Sequence, residues 1–316
     1  MNTILVVGSV ALDTVKTPAG KCREALGGSA TYFSLAARCF APVSLVAVVG
    51  EDFPRAHREL FARRGIDTSG LKTAKGKTFR WSGSYGKDVN VAKTLATKLN
   101  VFKDFRPRLD EAHRRAPVVF LANIDPELQS EVLAQMREPA FVACDTMNFW
   151  IGSKPRAIKE LLAKVDAFFC NEDEAKGLTG RPNALQAAAA IADWGPSVVV
   201  VKKGEHGAFL RLGGRDYVFP AYPLASIKDP TGAGDSFAGG FLGYVASCGV
   251  YDDPAHLKRA MAYGTVLASF NVEDFSTRAI EDLDRERIDE RFHDLVERMS
   301  VPRAEELLKS RRAVAA

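Results

Sequence analysis

The sequence predicts a doubly wound α/β fold: a mostly parallel sheet with helices on both faces, and a small β-sheet lid beside it. Three observations lead there. Six short runs are apolar throughout instead of alternating with polar residues, as strands covered on both faces are. Helix-patterned segments separate most of these runs, and a helix between two strands is the crossover that parallel pairing needs. Two further stretches are polar and strand-like, with too little apolar surface to belong to the main sheet. At 316 residues, 47 % apolar and 26 % charged, the chain can bury one such core. With no linker or internal repeat, residues 1–316 read as a single domain.

ILVVG (residues 4–8) is the first strand; no basic segment precedes it, so a signal peptide is not expected. GSVALD runs on from it, and the following TVKTPAGKCREALGG is polar and alternates loosely. A helix is expected over 29–40, and VSLVAVVG (43–50) is the second buried strand. KTFRWSGSYG and VAKTLATKL, within 77–99, form two short strands around a Gly-containing turn; with residues 13–27 they make up the expected lid. PVVFLAN (117–123), AFVACD (140–145), VDAFFCN (165–171) and SVVVVKKG (197–204) are the remaining buried strands, with helices over 127–137, 154–164 and 184–194. DPTGAGDSFAGGF (229–241) leads into a helix starting at Asp235, and AMAYGTVLASFNVE (260–273) is a small-residue helix and turn.

Composition excludes several classes of function. The net charge of +4 is too small to attract nucleic acid or an anionic membrane, and the basic stretch 303–312 reads as a solvated helix end. No apolar run approaches the ~20 residues of a membrane span. The five cysteines are scattered without a CxxC pair, which suits free buried thiols in a reducing cytoplasm. None of the five histidines stands at metal-ligand spacing or beside a nucleophile. A P-loop is ruled out because five residues, rather than four, separate Gly70 from the GKT at Gly76. Phe237 stands where the third glycine of a dinucleotide fingerprint would follow Gly232 and Gly234.

The loop before Asp235 carries the chemistry. Gly232, Ala233 and Gly234 lack bulky side chains, so their backbone N–H groups can approach a ligand, and the following helix adds positive potential. That combination suits an anion hole. Asp235 could be a helix N-cap, but a cap needs no such loop. A carboxylate beside an anion hole suits a base that deprotonates a hydroxyl as phosphate charge builds nearby.

These residues resemble the C-terminal signature D-T-x-G-A/x-G-D of the PfkB, or ribokinase-like, carbohydrate kinases, with Pro230 and Thr231 after Asp229 as a small variation. GSVALD (8–13) and LGGSATY (26–32) resemble the family's N-terminal signature, so the resemblance covers nearly the whole chain in the expected order. It implies ATP-dependent phosphorylation of a hydroxyl on a small molecule, with Asp235 as base and Gly232, Ala233 and Gly234 as the anion hole. It also implies that Asp13, placed at the end of the first strand, holds substrate hydroxyls, and that the backbone of Gly27 and Gly28 approaches the substrate. Tyr32 replaces the family's usual asparagine, a departure from a simple ribose contact set. Asn171 and Glu174 resemble the N-x-x-E motif that organises Mg²⁺ through water, while Glu172 and Asp173 read as an acidic helix start. VKKGEHG (201–207) resembles the nucleotide loop T-x-G-x-x-G: Gly204 and Gly207 fit, and Lys202 takes the place of the Thr or Ser. The family sometimes seats a monovalent cation near the Asp229 loop, and its lids often pair in homodimers.

Four further positions bear on the acceptor. Asp145 and Asn148 end a central strand and are expected to face the cleft, whereas Phe149 and Trp150 read as core. Arg80, in the lid, is placed to meet a phosphate or the substrate, and Trp81 with Tyr32 to stack on a base. This favours a nucleoside as acceptor and leaves hexose, ribose and inositol open. A non-catalytic ligand sensor on the same fold is the alternative of another class, and the intact Asp235 argues against it. A nicotinamide oxidoreductase is a remote third. A cytoplasmic protein is expected.

Overall fold

The computed structural model describes residues 2–86 and 88–300; the basic stretch 303–312 lies outside them. Thirteen strands among the described residues form two sheets: β1 Ile4–Val7, β2 Ala11–Thr17, β3 Gly20–Gly27, β4 Val43–Gly50, β5 Leu71–Ala74, β6 Phe79–Tyr85, β7 Ala92–Lys98, β8 Val118–Leu121, β9 Phe141–Asp145, β10 Ala167–Asn171, β11 Val198–Lys202, β12 Ala208–Leu212 and β13 Arg215–Phe219. The larger sheet has the order β13-β12-β11-β10-β9-β8-β1-β4-β5. It is parallel from β5 through β11, and β12 and β13 add an antiparallel edge. The edge hairpin, which sequence patterning missed, turns at Gly213 and Gly214, whose φ of +55° and +76° suit a tight two-residue turn.

Alternate residues of β1 explain the helices on both faces. Ile4 and Val6 enter a core shared with helices Ser29–Ala37, Ala233–Cys248 and Pro254–Asn271. Leu5 and Val7 enter the opposite core, shared with Pro155–Leu162 and Ala184–Ala192. The strand order reverses at β1: the chain steps outward to β4 and β5, then returns to β8 on the other side. Such a reversal opens a crevice at the carboxyl ends of the strands.

The expected helices exist but are shorter at their carboxyl ends, as Ser29–Ala37, Pro126–Leu133, Pro155–Leu162 and Ala184–Ala192. In each the apolar pattern outruns the helix, because the last residues tighten into turns: Phe40 N–H donates to Ala37 O at 3.0 Å and Trp194 N–H to Ile191 O at 3.0 Å.

The smaller sheet has the order β3-β2-β6-β7, with β2 parallel to β6 and antiparallel pairs outside. One expectation is corrected here. Asp13 does not end the first strand; β1 stops at Val7, and Asp13 is the third residue of β2 in the smaller sheet. The chain turns at Gly8, where a Cβ would sit 2.7 Å from that of Ala122, so the apolar GSVAL stretch spans a break rather than one strand.

Candidate active site

The helix Ala233–Cys248 begins two residues before Asp235, with Gly232 as its cap residue at φ +79°. Asp235 is therefore in the first turn and caps nothing; no side-chain cap hydrogen bond is made there. A Cβ on Gly232 would collide with the Tyr32 ring, which packs beneath the loop, so glycine is required by both conformation and space. Ala233 N–H is turned to Pro230 O at 3.2 Å, which removes one of the three amides expected in the anion hole. Gly234 and Asp235 N–H have no acceptor among the described residues, as first-turn amides of a helix do.

A buried frame anchors this loop. Both oxygens of Asp229 accept backbone N–H, from Thr231 at 2.9 Å and Ser276 at 3.0 Å. Asn271 Nδ2 donates to Thr231 O at 2.8 Å, and Ser276 Oγ donates to Leu26 O at 2.5 Å beside the double glycine. The smaller sheet closes on the same loop: Thr231 Oγ1 donates to Tyr85 OH at 3.1 Å, and Thr17 Oγ1 to Lys228 O at 2.7 Å.

Four of the polar atoms buried without partners are Asp13 Oδ1, Tyr32 OH, Asn123 Oδ1 and Asp145 Oδ1. A buried polar group left unpaired costs free energy, which a ligand can repay by bonding to it. Burial pushes the Asp13 carboxyl up to about 7; the Gly28 N–H opposes this, and the charges of Asp229 and Asp235 add to it. A Cβ on Gly27 would overlap the Asp13 carboxylate, and one on Gly28, at φ +94°, would lie 2.5 Å from Ser9 O. Asn123, unmarked by any motif, ends the segment after β8 with its own side-chain oxygen buried and unpartnered. Gln129, also unforeseen, is buried and ties the two strand ends together: its Nε2 donates to Leu121 O at 2.8 Å, Ala122 O at 3.2 Å and Asp145 O at 3.0 Å.

The remaining acceptor candidates divide. Trp81 pairs in register with Asp13 and shares its face; the indole lies over Gly83 and donates to Thr94 Oγ1 at 3.2 Å. Tyr32 stays beside the site, but its ring is covered, so it offers a hydroxyl and no stacking face. Arg80 is corrected. Strand alternation turns it to the face opposite Asp13, where it bonds Glu24 at 2.8 Å, Asp52 at 2.8 Å and Thr78 O at 3.1 Å. Asn148 is exposed at the start of the short helix Asn148–Ser153. Phe149, expected in the core, is 61 % exposed and meets Trp150 edge-on at 4.8 Å.

On the nucleotide side, Asn171 and Glu174 form a capping box: Glu174 Oε2 accepts from Asn171 N–H at 2.7 Å, and Asn171 Oδ1 from Glu174 N–H at 2.8 Å. Glu174 is buried, which raises its pKa; Lys202 and the Asn171 N–H oppose the rise. Glu172 and Asp173 pair outward with Lys176, at 3.9 and 3.4 Å, as an acidic helix start does. Gly204 and Gly207 have φ of +55° and +87°, and a Cβ on Gly204 would collide with Asn90 in the connection between β6 and β7. Lys202 Nζ lies 2.7 Å from where a Cβ on Gly234 would sit. Burial pushes the half-buried Asp235 carboxyl up to about 6, with Lys202 lowering it and Glu174 raising it. Asp145 is driven well above the carboxylate range by burial and by the Asp235 charge, with Lys202 opposing.

Among the described residues no group of three or more His, Cys, Asp or Glu is placed to hold a metal by itself. Mg²⁺ keeps most of its waters and binds phosphates with one or two carboxylates, so Glu174 and the unpartnered Asp145 fit it. No helix among the described residues is long and apolar enough to cross a membrane.

A doubly wound sheet with a smaller sheet over its crevice, an open helix amide turn and buried carboxyls beside it define a phosphotransferase that acts on hydroxyl groups. The chain belongs to the pfkB family of carbohydrate kinases, whose model matches residues 1–283. It is 32 % identical over 251 residues to the cytidine kinase of Thermococcus kodakarensis, covering 77 % of this chain and 88 % of that one. The nucleoside kinase of Burkholderia thailandensis, solved with inosine, superposes with a TM-score of 0.77 at 18 % identity, over 92 % of this chain and 97 % of that one. A fructokinase double mutant from Vibrio cholerae, solved with fructose, ADP and potassium, gives 0.75 at 17 % identity, over 92 % and 98 %.

Proposed function

We propose that this kinase transfers the γ-phosphoryl group of ATP to a hydroxyl of a nucleoside, with Asp235 as general base. The observation that carries it is Asp235 itself, a carboxyl at about pKa 6 in a helix first turn, next to unpaired amides and an ammonium. A base is most effective when its pKa lies close to the working pH. Asp13, its free oxygen at the crevice, accepts from two acceptor hydroxyls and orients the third toward Asp235. Asp235 takes that proton, the oxygen attacks phosphorus, and the Gly234 and Asp235 amides receive charge on the transferring group. Asn171, Lys202, Gly204 and Gly207 line the nucleotide, and Glu174 with Asp145 would hold magnesium. That ion, when bound, neutralises phosphate charge.

The smaller sheet acts as a lid, since it touches the phosphate loop through Tyr85 and the nucleotide loop through Asn90 in its β6–β7 connection. Exposed β7 leaves a free edge, which suits a homodimer through the lid. A nucleoside is favoured over a plain sugar because Trp81 lies beside Asp13 and the cytidine kinase is a substantial relative. An ATP-consumption screen over nucleosides, pentoses, hexoses and inositols tests the reading. Turnover of cytidine or another nucleoside at least tenfold above any free sugar supports it; preference for a hexose or inositol overturns the nucleoside assignment.

A further inference from the structure

Lys202 stands where the family signature carries Thr or Ser, and its ammonium is unused by the steps above. It is the last residue of β11, aimed at the first turn of the helix Ala233–Cys248. Its neighbour Lys203 pairs with Glu172 at 3.5 Å, whereas the Lys202 ammonium has no ion pair or hydrogen bond among the described residues. Three carboxyls nevertheless feel its charge: Asp235, Glu174 and Asp145. A simple counter-ion would have closed onto one of them. An ammonium that lies against Gly234 and pairs with none of the carboxyls its charge reaches is instead positioned for an anion at that helix turn.

We propose that Lys202 is a catalytic residue whose ammonium donates to a γ-phosphoryl oxygen during transfer, completing the anion hole begun by the Gly234 and Asp235 amides. The inference rests on the kinase reading. In the step, the acceptor oxygen bonds to the γ-phosphorus and its proton passes to Asp235. The bond from that phosphorus to the β–γ bridging oxygen breaks, with the electron pair leaving on ADP. Lys202 keeps its protons throughout. A threonine at this place could donate one neutral hydrogen bond; the lysine adds a full charge, and the loss of the Ala233 amide to Pro230 gives that charge more to do.

The test compares wild type with Lys202→Met, Lys202→Gln and Lys202→Arg in full pH–rate profiles. Removing the cation raises the Asp235 pKa, so a residue that only tunes the base would show a shifted acid limb and normal turnover on the alkaline plateau. The proposal expects kcat on that plateau to stay roughly 10²-fold low in the Met and Gln variants, with Arg recovering part. A second readout needs no acceptor: calorimetry of MgADP with aluminium fluoride, a mimic of the phosphoryl group in flight. Its affinity should drop about 10²-fold in Lys202→Gln, while MgADP alone binds as in wild type. Full recovery at high pH, or an unchanged fluoride complex, overturns the proposal. If Lys202→Met does not fold, by thermal melting, the Gln and Arg variants decide. A wild type with no turnover of any acceptor would sink the kinase reading, and the fluoride comparison would still decide what Lys202 touches.

Discussion

Asp235 and Asp13 lie close enough that the charge of Asp235 is felt at Asp13, and burial drives both toward their protonated forms. For Asp235 the consequence is kinetic. A base must be ionised to act, so kcat/KM should climb as pH rises through about 6 and level off above it; a profile flat from pH 5 to 8 would remove Asp235 from the base role. For Asp13 the consequence is stability. Its pKa rises from 3.8 to about 7 on folding, so the folded state binds the proton more tightly than the unfolded one. Its contribution is full below pH 3.8 and is lost as pH rises through about 7. Asp13→Asn should therefore raise the melting temperature of the free protein at pH 8 by roughly a few degrees and leave it nearly unchanged at pH 4. The same variant should raise acceptor KM strongly and ATP KM little. A variant that melts earlier at pH 8 would show that the Asp13 charge is satisfied in the free protein.

The N-x-x-E segment forms a capping box and, in the proposed reading, also serves magnesium. Its spacing is that of a capping box, so the helix Glu172–Thr179 would favour it even without a ligand. Glu174→Gln keeps the reach back to Asn171 N–H and removes only charge. It should raise the Mg²⁺ concentration needed for half-maximal rate several-fold without lowering thermal stability, while Glu172→Gln should not. Equal effects would make the acidic turn a diffuse field. At the lid, Arg80 ties β6 to Glu24 of β3 and to Asp52 after β4, across the place where the two sheets join. Arg80→Met should speed amide hydrogen exchange in β6 and β7 and leave ATP affinity within about threefold, since partly exposed ion pairs contribute little each. Unchanged exchange with weakened ATP binding would return Arg80 to the phosphates.

Over the whole molecule, local patterns were legible and contacts between distant segments were not. Continuous apolar runs gave away the six central strands, and a loop of small residues before Asp235 pointed to a helix start with open amides at Gly234 and Asp235, because both are properties of neighbouring residues. Strand β2 was misplaced since an apolar GSVAL hides the turn at Gly8, and Arg80 was misplaced since one step along a strand reverses its face. Tyr32 looked like a stacking ring, yet Gly232, remote in sequence, covers it. Asn123 and Gln129 carried no signal at all: their importance lies in an unpartnered oxygen and a three-carbonyl clamp that only the folded crevice creates. The central claim is that this crevice assembles a hydroxyl-phosphorylating site around Asp235, and Asp235→Asn tests it most directly, since amide for carboxylate keeps the shape. With the best acceptor at pH 8, the variant should bind MgATP like wild type and lose roughly 10²- to 10⁴-fold in kcat; turnover within a few-fold of wild type would contradict the account.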